Sequence, residues 1–143
     1  DWPPGTKRNS FGPALDDFVA DHANLRLACC RVFGATHQQA IVLATLLKRP
    51  EATKDQLHSA VERDRTDAKD RTHPKLVDVL ICHLRRKLKP WAAKWYGDAE
   101  YKIIRTMWGT GYLIDAKERI KVVKVLNDFM RQASNLHDVA EAA

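Results

Sequence analysis

Residues 75–88, KLVDVLICHLRRKL, decide how the chain is read. At about 100° per residue, Val77, Ile81, Leu84 and Leu88 fall in one narrow sector of a helix, which marks them as core. The opposite sector carries Lys75, Val79, Cys82, His83 and Arg86, with Asp78, Arg85 and Lys89 on one flank and Lys87 on the other. A solvated helix face ordinarily mixes both charge signs. Here the outward sector is nearly all cationic, with a small apolar residue and a thiol between the charges. Such a face suits the major groove of a nucleic-acid duplex, where cations meet phosphates and guanine edges and a valine can touch a thymine methyl. Pro74 fits the first turn, so the helix is expected from about Pro74 to Leu88.

Upstream, residues 62–73, ERDRTDAKDRTH, are almost without apolar side chains and read as a solvated loop or helix end. Thr53 is placed to cap a helix with Gln56 at the reciprocal capping-box position, followed by Leu57, Ala60 and Val61. Pro50 stops the helix before it, which Thr36 can cap and whose Ile41, Leu43, Ala44, Leu46 and Leu47 make a wide apolar face. From Ala14 to Phe33, ended by Gly34, the residues Leu15, Phe18, Leu25, Cys29 and Val32 recur at three-four spacing with His22 in their row. This predicts a helix of about five turns, packed on its own domain or serving as a short dimer seam. Residues 1–13 are rich in turn formers and read as a flexible lead-in.

Downstream, Pro90 is expected to end the helix, with Trp91–Gly97 as a connector. Residues 101–114, YKIIRTMWGTGYLI, read as a β-hairpin whose tip needs the geometry of Gly109 and Gly111. No helix opens directly after this GxG, so a mononucleotide phosphate loop is not expected. Residues from Ala116 to about His137 repeat Ile120, Val123, Leu126, Met130 and Ala133, an amphipathic helix that is either core cover or a partner surface.

The fold class is therefore mainly α with a small β-hairpin wing: a winged helix-turn-helix at 36–115, flanked by an N-terminal helix at 14–35 and a C-terminal helix and tail at 116–143. The two motifs KLVDVLICHLRRKL and IRTMWGTGYL, in that order, resemble the effector domain of OmpR/PhoB-type bacterial response regulators, and within them the CtrA-like branch. The resemblance spans about residues 36–114. It implies that Asp78, Val79, Cys82 and His83 lie toward base edges, that Lys75, Arg85, Thr106 and Tyr112 hold phosphates, and that Trp108 sits near the wing tip. With Arg86 and Lys89 from the helix pattern, these are the candidate DNA-binding residues. His83 stands where relatives usually carry Arg or Lys and Leu80 where many have His, so a relative's base preference does not transfer. Trp108 replaces the wing Arg that some members insert into the minor groove, so minor-groove readout is not expected. The residues ahead of the winged helix are too few for a receiver domain of roughly 100 residues. Aspartate phosphorylation is accordingly not expected.

Composition is consistent with this reading. The chain of 143 residues has 24 Lys and Arg against 18 Asp and Glu, which suits an anionic partner. The excess is concentrated: residues 75–94 hold six basic side chains and the single acid Asp78. No apolar run is long enough to span a membrane and no signal segment is present, so a cytoplasmic protein is expected. Cys29 and Cys30 are adjacent and Cys82 is distant, a pattern of reduced thiols without metal-ligand spacing. No catalytic, metal or cofactor site is expected, since Asp64, Asp67 and Asp70 gather only in a polar stretch with no nucleophile or base beside them. The expected partners are double-stranded DNA, RNA polymerase and a second copy of the chain. The alternative is an architectural or phage-type DNA-binding protein without promoter-specific regulation.

Overall fold

The computed structural model describes residues 15–16, 20–63 and 75–142, with side chains described as far as residue 133. Among them are five helices and a three-stranded antiparallel sheet. In chain order these are α1 His22–Phe33, α2 His37–Lys48, β1 Glu51–Thr53, α3 Lys54–Arg63, α4 Leu76–Tyr96, β2 Ile104–Met107, β3 Gly111–Ile114 and α5 Ala116–Ala142. The strands lie in the order β1-β3-β2. The expected lead-in, residues 64–73 of the polar stretch, and Pro74 lie outside the described residues.

Helix α2 is the centre of the core and touches α1, α3, α4, β1 and β3. Thr36 and Gln39 close its N-terminus in a full capping box, and Ala40 through Ala44, Leu46 and Leu47 are all buried. Burial all round, rather than one apolar stripe, is what a helix enclosed by neighbours needs. Thr53 and Gln56 form the second box, with Gln56 N–H donating to Thr53 Oγ1 at 3.1 Å and Thr53 N–H to Gln56 Oε1 at 2.9 Å.

Helix α1 is shorter than expected. Asp21 interrupts the run at 14–33 by accepting hydrogen bonds from the N–H groups of Ala23 and Asn24, so the described helix begins at His22. A carboxylate that satisfies free N–H groups favours a helix start over a helix interior. Leu25, Ala28, Cys29 and Phe33 are buried, and α1 packs on α2 and α5 within the domain. Gly34 ends it at φ 71°.

Helix α4 does not stop at Pro90 but continues to Tyr96, where Gly97 caps it at φ 68°. Proline inside a helix costs roughly 3 kcal/mol. Packing beyond it offsets that loss: Ala92 is buried, Trp91 meets Phe33 edge-on at 5.3 Å, and Trp95 packs on Trp91 at 5.5 Å. Burying large apolar side chains contributes about 1.5 to 3 kcal/mol each when complete.

Strand β1 was not anticipated, because three residues are too few to show alternation. It pairs with β3 through Glu51↔Leu113, Ala52↔Tyr112 and Thr53↔Gly111. The two wing glycines serve different needs. Gly109 takes φ 78° in the turn, as expected. Gly111 instead permits close backbone approach, because a Cβ there would lie 2.1 Å from the Ala52 carbonyl oxygen.

In α5 three of the five expected stripe residues face the core. Val122, Val123, Leu126 and Met130 are buried, whereas Ile120 and Ala133 are exposed. Two buried polar side chains extend this face toward the start of the helix. Buried Arg119 donates from Nε to the Leu47 carbonyl at 2.9 Å, and buried Glu118 accepts from the Tyr96 hydroxyl at 3.0 Å and from the Tyr101 hydroxyl. The first half of α5 therefore closes the C-terminal end of α2 and holds the far end of α4.

Candidate nucleic-acid interface

Helix α4 buries Val77, Leu80, Ile81, Leu84 and Leu88, which aims the opposite sector outward as the periodicity requires. On that sector Lys75 and Cys82 are exposed and Val79 is 47% exposed. Arg86 is exposed too, with its Nη2 4.0 Å from Cys82 Sγ one turn back. His83 is half-buried, its Nδ1 3.5 Å from Nε2 of the buried Gln39 on α2. Gln39 fixes the inner edge of the imidazole and leaves the ring on the rim of the helix face.

The flanking cations behave differently. Lys87 turns inward, donating to the Gly34 carbonyl and to Gln39 Oε1, both at 2.7 Å, so it closes the end of α1 rather than facing a ligand. Lys89 pairs with Glu100 at 3.1 Å across two well-exposed side chains, the kind of surface pair that contributes about 0 to 1 kcal/mol and yields readily to a stronger anion.

Arg85 fastens the wing to α4. Its Nε and Nη2 donate to the Ile104 carbonyl at 3.1 and 2.9 Å, Nη2 also donates to Thr106 Oγ1 at 2.7 Å, and the guanidinium stands 5.6 Å from the centre of the Tyr112 ring. Tyr112 is buried, and its hydroxyl donates to Asp78 Oδ1. Asp78 also pairs with Lys54 at 3.2 Å. The Tyr112 hydrogen bond, with Lys54 and Lys75 nearby, holds the Asp78 carboxyl below the usual carboxylate range, and burial with the Asp78 bond pushes the Tyr112 phenol up to about 12. Both groups therefore keep these protonation states at neutral pH. In the turn of the hairpin, Trp108 stands 91% exposed at the wing tip.

The candidate residues thus divide into two sets. Lys75, Val79, Cys82, Arg86, Lys89 and Trp108 present open surface, with His83 on the rim, whereas Asp78, Arg85, Thr106 and Tyr112 are engaged with one another. Lys54, the first residue of α3, went unnoticed in the sequence. Only the tertiary arrangement brings it to the start of α4 and, through its N–H to the Thr110 carbonyl at 3.2 Å, to the wing turn.

A helix-turn-helix whose second helix shows a cationic outward face, followed by a hairpin fixed beside it, defines a winged-helix DNA-binding domain. Residues 32–114 match the family model described as "Transcriptional regulatory protein, C terminal", and the chain belongs to that OmpR/PhoB-type family of DNA-binding regulatory domains. The family is not an enzymatic one. Comparison with curated proteins found no significant match. Comparison with solved structures likewise found none. Among the described residues no helix is long and apolar enough to cross a membrane.

Proposed function

We propose that the chain regulates transcription by binding preferred sequences of double-stranded DNA, with α4 in the major groove and the β2–β3 hairpin on the adjoining backbone. The observation that carries this reading is the outward sector of α4, where Val79, Cys82 and Arg86 are open at the surface beside His83 while the inward sector is fully apolar. These side chains offer donors, an apolar contact and positive charge, the chemistry that base edges and phosphates call for. The two motifs at 75–88 and 104–113 favour the CtrA-like branch, and a promoter-bound regulator of this kind would work in the cytoplasm with RNA polymerase as its second partner.

Selection from a randomised duplex pool supplies the preferred site, and titration of single variants against that site and a scrambled duplex tests the assignment. His83→Ala and Arg86→Ala should each lose about 1 to 3 kcal/mol on the preferred site and much less on the scrambled one. Equal losses on both duplexes would mean that these residues do not read bases. An architectural protein would instead leave footprints spread along the DNA without a preferred site.

A homodimer is part of the same proposal. Leu27 on α1 and Ile120 on α5 are 44% and 43% exposed, apolar surface on the two helices that flank the winged helix. The pairing should favour repeated half-sites. Sedimentation that shows a monomer at tens of micromolar, both free and on DNA, would exclude it.

A further inference from the structure

Among the candidate residues of α4 Asp78 is out of place, because an acid on a DNA-facing helix repels phosphate. A carboxylate that reads a base does so by accepting a hydrogen bond from cytosine N4. The carboxylate of Asp78 is already engaged: Tyr112 donates to Oδ1, and the Lys54 ammonium lies 3.2 Å from Oδ1 and 3.5 Å from Oδ2. These contacts link three elements, since Tyr112 belongs to the wing strand β3, Lys54 to the start of α3 and Asp78 to the first turn of α4. About two turns further along α4, Arg85 binds the other wing strand at Ile104 and Thr106 and stands against the ring of the same Tyr112. The wing is thereby held at two points along α4, and the Lys54 N–H bond to the Thr110 carbonyl holds its turn against α3.

We propose that Asp78, together with Tyr112, is a positioning residue that sets the wing and the start of α3 at a fixed offset from the reading face of α4, and that it does not read a base. The inference rests on the duplex-binding function proposed above. Its consequence lies in the kind of loss it predicts. The wing and the start of α3 can supply backbone contacts, which carry no sequence information, so loosening them weakens all duplexes alike. Losing a base contact weakens only the preferred site.

Tyr112→Phe is the cleaner variant, because it removes the hydroxyl, changes no charge, and keeps the ring against Arg85. Affinity for the preferred and the scrambled duplex should fall together, each about fivefold, the scale of one lost hydrogen bond. Asp78→Asn also frees Lys54 and removes a negative charge, so its informative readout is base preference rather than affinity. Repeating the selection from the randomised pool should return the wild-type preference at every position. In an Asp78→Ala background, which removes the acceptor, Tyr112→Phe should cost less than twofold. Thermal melts of the variants separate loss of fold from loss of positioning. A relaxed preference at one base pair in Asp78→Asn, or an undiminished fivefold loss for Tyr112→Phe in the Asp78→Ala background, would overturn the proposal. Failure of the wild-type chain to select any site would instead overturn the function on which it rests.

Discussion

Gly111→Ala should destabilise the domain by about 3 kcal/mol or more and loosen the wing with it. The added Cβ would meet the Ala52 carbonyl oxygen at 2.1 Å, Thr53 Cα at 2.7 Å and the Ala52 carbonyl carbon at 2.9 Å. All three are backbone atoms, so no rotamer change relieves the clash and β1 must move away from β3. That movement breaks the pairing Thr53↔Gly111 and displaces the Thr53 cap of α3. Gly109→Ala, by contrast, meets nothing within 4 Å and carries only the strain of φ 78°, of order 1 to 2 kcal/mol. Chemical denaturation of both variants checks the order. A Gly111→Ala protein as stable as wild type would show that β1 and β3 are not closely paired.

Duplex affinity should be strongly dependent on salt. Lys75 at the start of α4, Lys89 at the end of its exposed face, and the wing offer about five phosphate contacts. Each contributes a slope of roughly 0.9 in the logarithm of affinity against that of salt concentration. Between about 50 and 200 mM salt this amounts to about a 500-fold loss. Lys89 would reach phosphate by exchanging the exposed Glu100 for it, so Lys89→Ala should lower the slope by about one unit on any duplex. Titration across the salt series measures both effects, and a flat profile would rule out phosphate contacts as a source of affinity.

The parts of the fold written in local patterns were legible in the sequence. The caps at Thr36 and Thr53, the stop at Gly34, the apolar sector of α4 and the hairpin each depend on residues close together in the chain. What escaped depends on distant partners. Pro90 reads as a helix end until Trp91 and Trp95 are seen packing beyond it, and the break at Asp21 was hidden beneath an apolar period that runs on past it. The burial of Arg119 and Glu118 in α5, where they bond to α2 and α4, is likewise something no apolar period reveals. The candidate site shows the same division. Periodicity separated the outward from the inward face of α4, but could not show that Arg85, Asp78, Thr106 and Tyr112 hold each other, because their contacts cross 19 to 34 residues of chain.

The Arg119 bond to Leu47 bears on how this protein can be cut or fused. The motif-bearing segment ends at the second wing strand, and an engineer treating the winged helix as a portable cassette would truncate there. The cut would remove Val122, Val123, Leu126 and Met130 from the core and leave the Leu47 carbonyl without its guanidinium donor at the end of the central helix. It would also strip Tyr96 and Tyr101 of the carboxylate they share. A transplantable version of this domain therefore has to carry α5 at least through Arg131, whose guanidinium holds Asp16 of the N-terminal segment, and should take that segment with it.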